Sequence, residues 1–394
     1  VARRRAAALL GTSSNRIPPS SASAGAFGLA EIEPYYDEAK RMLHVTRFAN
    51  EPELQSVIDR IVNDDPAWRP EPLPLGLKPE IVDDPQEAKH FDGYASVAGY
   101  KGGSEQCFIA PIETAPNFRL ILDKEVTGFL HASDRPDVVE GVVCDDGSYF
   151  FGDAVVLACG AMSSPRLLQD YFDVTGLERT LPCAGTIGRN FRMHLDSALI
   201  VFSPFRDHDV LRKTAIFFNE NHPHSTVQCL GWLDGQLLAT QLPAATPPFG
   251  SDMIGARALG FFVTTEDGSS RDNRVVSNRG HRPVLDYEFD CIVPSRDEHA
   301  ACIHDFERAL RRAGFVGTSR WTELAGTSHA VGTLVTGTDP TSSVVDPDGR
   351  VHGMTVLYVG DGSILPRTSR VNPSLTIYAW KLRLGRRLAA GSLA

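Results

Sequence analysis

His329 is the residue whose type and setting suit it best to moving a proton. It stands in "GTSHAVGT" (326–333), among Gly and Thr rather than on an apolar face. A histidine packed in a glycine-rich loop can act as acid or base near neutral pH. A lone loop histidine is just as readily a solvated side chain. Further on, "LYVGDGS" (357–363) reads as a strand running into Gly360-Asp361-Gly362, a close-approach turn carrying a carboxylate. Asn372 and Pro373 then open "NPSLTIYAWKLRLGRRLAA" (372–390) as cap and first residue of a helix. A helix N-terminus also offers unbonded N–H groups and partial positive charge to an anion.

Two further stretches have ligand-binding character. In "VVLACGAMSSPRLL" (155–168), Val155 to Ala158 suit a strand buried on both faces. Gly160 and Ala161 end it, Ser163 or Ser164 can cap the next helix, and Pro165 suits its first position. Ligands of α/β folds bind beyond the carboxyl ends of such strands, although a tight strand–helix turn has the same pattern without one. "GTSSN" (11–15) can turn backbone N–H groups toward a phosphate, as can many plain loops.

The elements that must position these residues are legible as periodicity. Residues 29–43 and 51–64 read as amphipathic helices, and 65–88 as an irregular, proline-rich connection. From 118 the text becomes strand-like, with Asp145-Asp146-Gly147 as a turn. Residues 197–203, 226–232, 236–241, 257–265 and 283–290 read as strands of an antiparallel sheet. Residues 295–315 read as a helix with Ser295 and Glu298 as a capping box, and with Ala301, Phe306 and Leu310 along one face.

Composition narrows the function classes. A net charge of −10 disfavours general nucleic-acid or anionic-membrane binding. Seven cysteines without a Cys-x-x-Cys pair argue against a zinc site or disulfide framework and favour a reducing, cytoplasmic location. His222 and His224, and His299 and His304, lack metal-ligand spacing, so no metal is expected. The start, "VARRRAAALL", resembles a signal peptide, but its apolar run is too short, and no stretch approaches a membrane span.

Taken together, these motifs resemble the glucose–methanol–choline (GMC) flavoprotein oxidoreductases. The match runs through "GTSSN", the Pro-Tyr-Tyr helix of 29–45, "GAMSSPRLL", "IGRNFRMH" (187–194) and the stretch from 328 to 389. The resemblance implies an α/β fold with two lobes. One is a Rossmann-like FAD lobe assembled from 1–45, 105–195 and 326–394. The other is an antiparallel-sheet substrate lobe over 196–325, with 46–104 a helical and irregular connection. It implies FAD as cofactor, near Ser13, Ser14, Asn15, Val126, Gly160, Ala161, Asp361, Gly362 and Pro373. It implies hydride transfer from an alcohol to flavin N5, with His329 as base and Asn372 orienting the hydroxyl. His194 is a further candidate for lining the site. The His/Asn pair resembles the sugar-oxidising branches, with a sterol or other alcohol second.

One departure is conspicuous. The family's N-terminal Gly-x-Gly-x-x-Gly turn, which holds the FAD pyrophosphate, occurs nowhere in the 394 residues. The expectation is that a preceding segment or a partner subunit supplies it, or that the chain is a noncatalytic, degenerate subunit binding a partner protein.

Overall fold

The computed structural model describes residues 28–89, 91, 95–203, 212–231, 233, 257–268, 270–279, 282–322, 324 and 329–391. Its α-helices are α1 (Leu29–Met42), α2 (Pro52–Asp64), α3 (Gly160–Thr175), α4 (Val293–Arg312) and α5 (Ser374–Ala389). The strands, in chain order, are β1 (Val45–Arg47), β2 (Trp68–Pro72), β3 (Pro74–Gly76), β4 (Val126–Ala132), β5 (Arg135–Cys144), β6 (Tyr149–Phe151), β7 (Val155–Leu157), β8 (His194–Phe202), β9 (Ala215–Asn219), β10 (Ser225–Gly231), β11 (Ala258–Glu266), β12 (Arg274–Val276), β13 (Val284–Asp286), β14 (Val316–Trp321) and β15 (Leu357–Val359). Among the described residues no helix is long and apolar enough to cross a membrane.

The largest sheet is antiparallel, with six strands in the order β14-β8-β11-β10-β9-β2. Alternation along each strand separates two faces. Leu199, Val201, Phe217, Val227, Phe261 and Val263 form the apolar face and pack under α2 and α4. Phe306 of α4 lies at the centre, its ring 4.9 Å from Trp68, 5.1 Å from Phe261 and 5.3 Å from Phe217. The opposite face carries His194, Asp196, Thr226, Gln228, Thr264 and Glu266, all buried. Such polar groups stay buried only when something hydrogen-bonds to them: Thr264 donates to Asp196, and His194, Thr226, Gln228 and Glu266 bond the segment preceding α5.

The other lobe joins a parallel pair, β7–β15, to the meander β4-β5-β6. Its core holds Leu157, Leu167, Phe172, Val331, Val359 and Trp380. Helix α1 packs on α5 through Ile32, Tyr36, Leu375 and Ala379. Arg383 of α5 donates to Glu31 of α1 from Nε at 2.9 Å.

Several local expectations change. Residues 65–88 are not simply irregular, because β2 pairs with β9 and β3 with β1. The 236–241 stretch lies outside the described residues. Val284–Asp286 forms a separate hairpin with β12 rather than joining the large sheet. Val156 is 42% exposed, so β7 is not buried on both faces. Helix α3 begins at Gly160, placing Ser164 and Pro165 inside it rather than at its cap. Helix α4 starts at Val293, two residues before the expected capping box. Glu298 instead accepts from the His224 N–H and the Ser225 hydroxyl, at 2.7 and 2.9 Å. Ala301 is exposed, and His299 and Cys302 take the inward positions. Pro373, not Asn372, is the residue preceding α5.

Candidate active site

The site is organised by a short antiparallel bridge between two loops. Arg192 and Val331 exchange backbone hydrogen bonds at 3.0 and 2.9 Å, and the Gly188 N–H donates to the Thr333 carbonyl at 2.8 Å. Gly332 makes this approach possible. Its φ is +90°, and a Cβ there would lie 2.2 Å from the Asn190 carbonyl oxygen. Two residues beyond the bridge, in the same register, His194 faces His329. Their Nδ1 atoms are 2.9 Å apart and their rings are inclined by 69°.

The protons of this pair follow from their partners. His194 Nε2 lies 2.8 Å from the Ser369 carbonyl oxygen, which only accepts, so this nitrogen carries hydrogen. In neutral His194 the Nδ1 is then a lone pair. The hydrogen between the two rings must therefore sit on His329 Nδ1, which leaves the basic lone pair of His329 on Nε2. Burial above all pushes the His329 pKa well below the ordinary histidine value and keeps the ring neutral. His329 has φ +67°, a left-handed conformation uncommon outside glycine.

Asn372 is buried, and its carboxamide oxygen accepts from Gln228 Nε2 at 3.3 Å. That contact directs the amide oxygen toward β10 and leaves Nδ2 as the donor end. The Thr226 hydroxyl donates to the Arg370 carbonyl at 2.8 Å. The polar sheet face thus grips the segment between Ser369 and Asn372, which carries the His194 acceptor and Asn372 together.

The two strand–helix turns are clamped by Asp361. Its carboxylate accepts from Gly160 N–H at 2.8 Å, Ser164 hydroxyl at 2.5 Å, Ser363 N–H at 2.9 Å and Ser363 hydroxyl at 2.5 Å. Its bonding capacity is engaged by the chain itself. Gly362 is buried, and a Cβ there would lie 2.9 Å from Ile377. Pro165 lacks the N–H that would bond the Ala161 carbonyl four residues earlier, and the Thr333 hydroxyl donates to it instead at 2.8 Å. Val126 opens β4 opposite Cys144. Ser13, Ser14 and Asn15 lie outside the described residues.

The carboxyl end of β7 leaves room for a cofactor such as FAD. Gly160, at φ +82°, has open space where a Cβ would project, and Ala158 and Cys159 beside it are exposed at the carboxyl end of β7. The N-terminus of α5 follows directly after Asn372 and Pro373. Reading along the sequence missed Gln228, Thr226, Glu266 and Ser369. The available signal was Thr226 and Gln228 on β10 and Thr264 and Glu266 on β11, polar residues two apart that sequence alone reads as a wet face.

With this geometry in place, the chain can be set beside known proteins. Residues 297–380 match the family model described as GMC oxidoreductase. Paromamine 6'-oxidase of Streptomyces fradiae is 27% identical over 400 aligned residues, covering 92% of this chain and 71% of the relative. Pyridoxine 4-oxidase from Mesorbium loti superposes with a TM-score of 0.61 at 17% identity, covering 88% of this chain and 72% of that one. An FAD-dependent oxidoreductase from Chaetomium thermophilum gives a TM-score of 0.61 at 12% identity, covering 92% and 80%. The chain shares the fold of these enzymes, and the matches support an oxidoreductase of GMC type.

Proposed function

We propose that this chain, together with FAD, oxidises an alcohol group, with a sugar or glycoside as the first substrate class. FAD when bound supplies the acceptor for the hydride that leaves the alcohol carbon. His329 takes the hydroxyl proton on Nε2, and its Nδ1–H to His194 delocalises the resulting positive charge. His194 can accept that hydrogen bond because its own Nε2–H is committed to Ser369. Asn372, with its oxygen held by Gln228, donates from Nδ2 to the substrate oxygen and orients the carbinol. Gly160, Ala161 and Gly362 are proposed contacts to FAD, with Asn372 and Pro373 near its ring; Val126, Ser13, Ser14 and Asn15 remain proposed contacts to the rest of the cofactor. Asp361 acts by clamping the turns. Because no Gly-x-Gly-x-x-Gly turn occurs in the 394 residues, further sequence or a partner subunit is proposed to hold the pyrophosphate.

The observation that carries this reading is the 2.9 Å contact between His194 and His329, with Ser369 fixing the direction of its hydrogens. Support for the substrate class comes from the likeness to an oxidase of paromamine. The test is anaerobic stopped-flow reduction of the flavin by a panel of sugars and simple alcohols. His329→Ala is expected to slow reduction by about 10²–10⁴-fold. An unchanged rate removes His329 from the role of base.

A further inference from the structure

His194 and Glu266 are directly opposite one another in the β8–β11 register, so their side chains emerge side by side on the same face of the sheet. Both reach one residue. Glu266 Oε1 accepts the Ser369 N–H at 3.2 Å, and His194 Nε2–H donates to the Ser369 carbonyl at 2.8 Å. Ser369 is buried and holds φ +65°, a left-handed conformation that a serine keeps only under external constraint. Glu266 is in turn oriented by a paired contact, accepting from Arg367 Nε at 2.8 Å on Oε1 and from Nη2 at 2.5 Å on Oε2. The neighbouring Thr368 hydroxyl lies 3.5 Å from the Met193 carbonyl. Arg367 and Ser369 are thereby fastened to two adjacent strands, and Thr368 to the residue preceding one of them.

We infer that Glu266 is a positioning residue for the reaction: by holding the Ser369 peptide it locks His194 in the Nε2–H tautomer, which keeps the basic lone pair of His329 on Nε2. The inference rests on the reading of His329 as base and adds the group that sets its protonation pattern. The reasoning is a matter of counting hydrogens. If the Ser369 carbonyl turns away, His194 no longer needs hydrogen on Nε2 and can carry it on Nδ1. His329 Nδ1 must then accept, and its single hydrogen moves to Nε2. In that arrangement the nitrogen that should take the substrate proton already holds one. Glu266 suits the task because it is ionised. Burial alone would raise its pKa, but Arg367, the Ser369 N–H and His224 together outweigh that and hold it below the ordinary carboxylate value.

The experiment reads tautomers rather than turnover alone. ¹⁵N-histidine NMR of the ligand-free full chain distinguishes hydrogen-bearing from bare ring nitrogens, and His194→Gln assigns the signals among the 12 histidines. The wild type is expected to show His194 with Nε2 protonated and Nδ1 bare. In Glu266→Ala the Nδ1–H tautomer should become populated. In parallel, flavin reduction should fall about 10–100-fold, with substrate KM little changed. Glu266→Gln retains an acceptor for the Ser369 N–H and should restore the wild-type tautomer pattern. If Glu266→Ala fails to fold, the double substitution Glu266→Leu with Arg367→Met removes the ion pair as a unit, a replacement that buried pairs often tolerate. A folded variant whose His194 signals match wild type overturns the inference, and so does a slowed reaction with unchanged tautomers. If the tautomer shifts as expected while His329→Ala still reduces flavin normally, the link from Glu266 to His194 stands and the base assignment fails.

Discussion

His194 and His329 meet Nδ1 to Nδ1 because they extend the register set by Arg192 and Val331, one from the end of a sheet strand and the other from a glycine-bounded loop. Neither loop could bring its histidine there alone. Replacing His194 by Ala is therefore expected to slow flavin reduction by about 10–100-fold, less than the loss in His329→Ala. Stopped-flow absorbance gives both numbers, and a His194 variant at full speed would exclude the pair as a working unit.

Gly332→Ala should damage the site through the backbone. A Cβ at φ +90° is strained, and it would collide with the Asn190 carbonyl at 2.2 Å. The expected loss is about 1–3 kcal/mol of stability, together with a slowed reductive step as the Arg192–Val331 bridge opens. Denaturant unfolding and flavin reduction measured on the same preparation should both change. A variant as stable and active as wild type would show that the loops approach less closely than described.

Phe306→Ala probes the other side of the large sheet. Phe306 is fully buried against Trp68, Phe217 and Phe261, and removing it leaves a cavity in the layer joining α4 to the strands. Urea unfolding is expected to show a loss of about 3–5 kcal/mol. A loss below about 1 kcal/mol would mean that the layer can collapse into the gap.

His299 predicts a pH dependence of stability. It lies buried between the Ser197 and Thr265 hydroxyls at 2.9 and 2.7 Å, and burial lowers its pKa from 6.5 to about 4. Between those values the unfolded chain binds a proton that the folded chain refuses, so stability falls as pH drops from 6.5 toward 4. The full contribution is about 3 kcal/mol. Buried Asp267, raised to about 7, works in the opposite direction over pH 4 to 7, since its folded form keeps a proton that the unfolded form releases. The informative quantity is therefore the difference between wild type and His299→Asn across pH 4 to 7. That difference should shift by a few kcal/mol; parallel curves would show that His299 titrates normally.

The sequence by itself determined the elements whose signal is local. The helices read at 29–43, 51–64, 295–315 and 372–390 correspond to α1, α2, α4 and α5, and the strands read at 197–203, 226–232 and 257–265 to β8, β10 and β11, with shifted ends. Motif order also singled out His329, Asn372, Gly160 and Asp361 as worth watching. Capping details were less secure, because tertiary partners compete for the same side chains. Ser164 bonds Asp361, Glu298 bonds His224 and Ser225, and Asn372 bonds Gln228. Only the tertiary structure decided that the polar faces of β8, β10 and β11 are buried. Alternation records that one face differs from the other; it does not record what covers the polar one. Here the cover is the 366–373 segment, which begins 100 residues after Glu266, the last residue of β11. Hydrogen-bond partners so distant along the chain leave no periodic trace, yet they determine which histidine nitrogen is left basic.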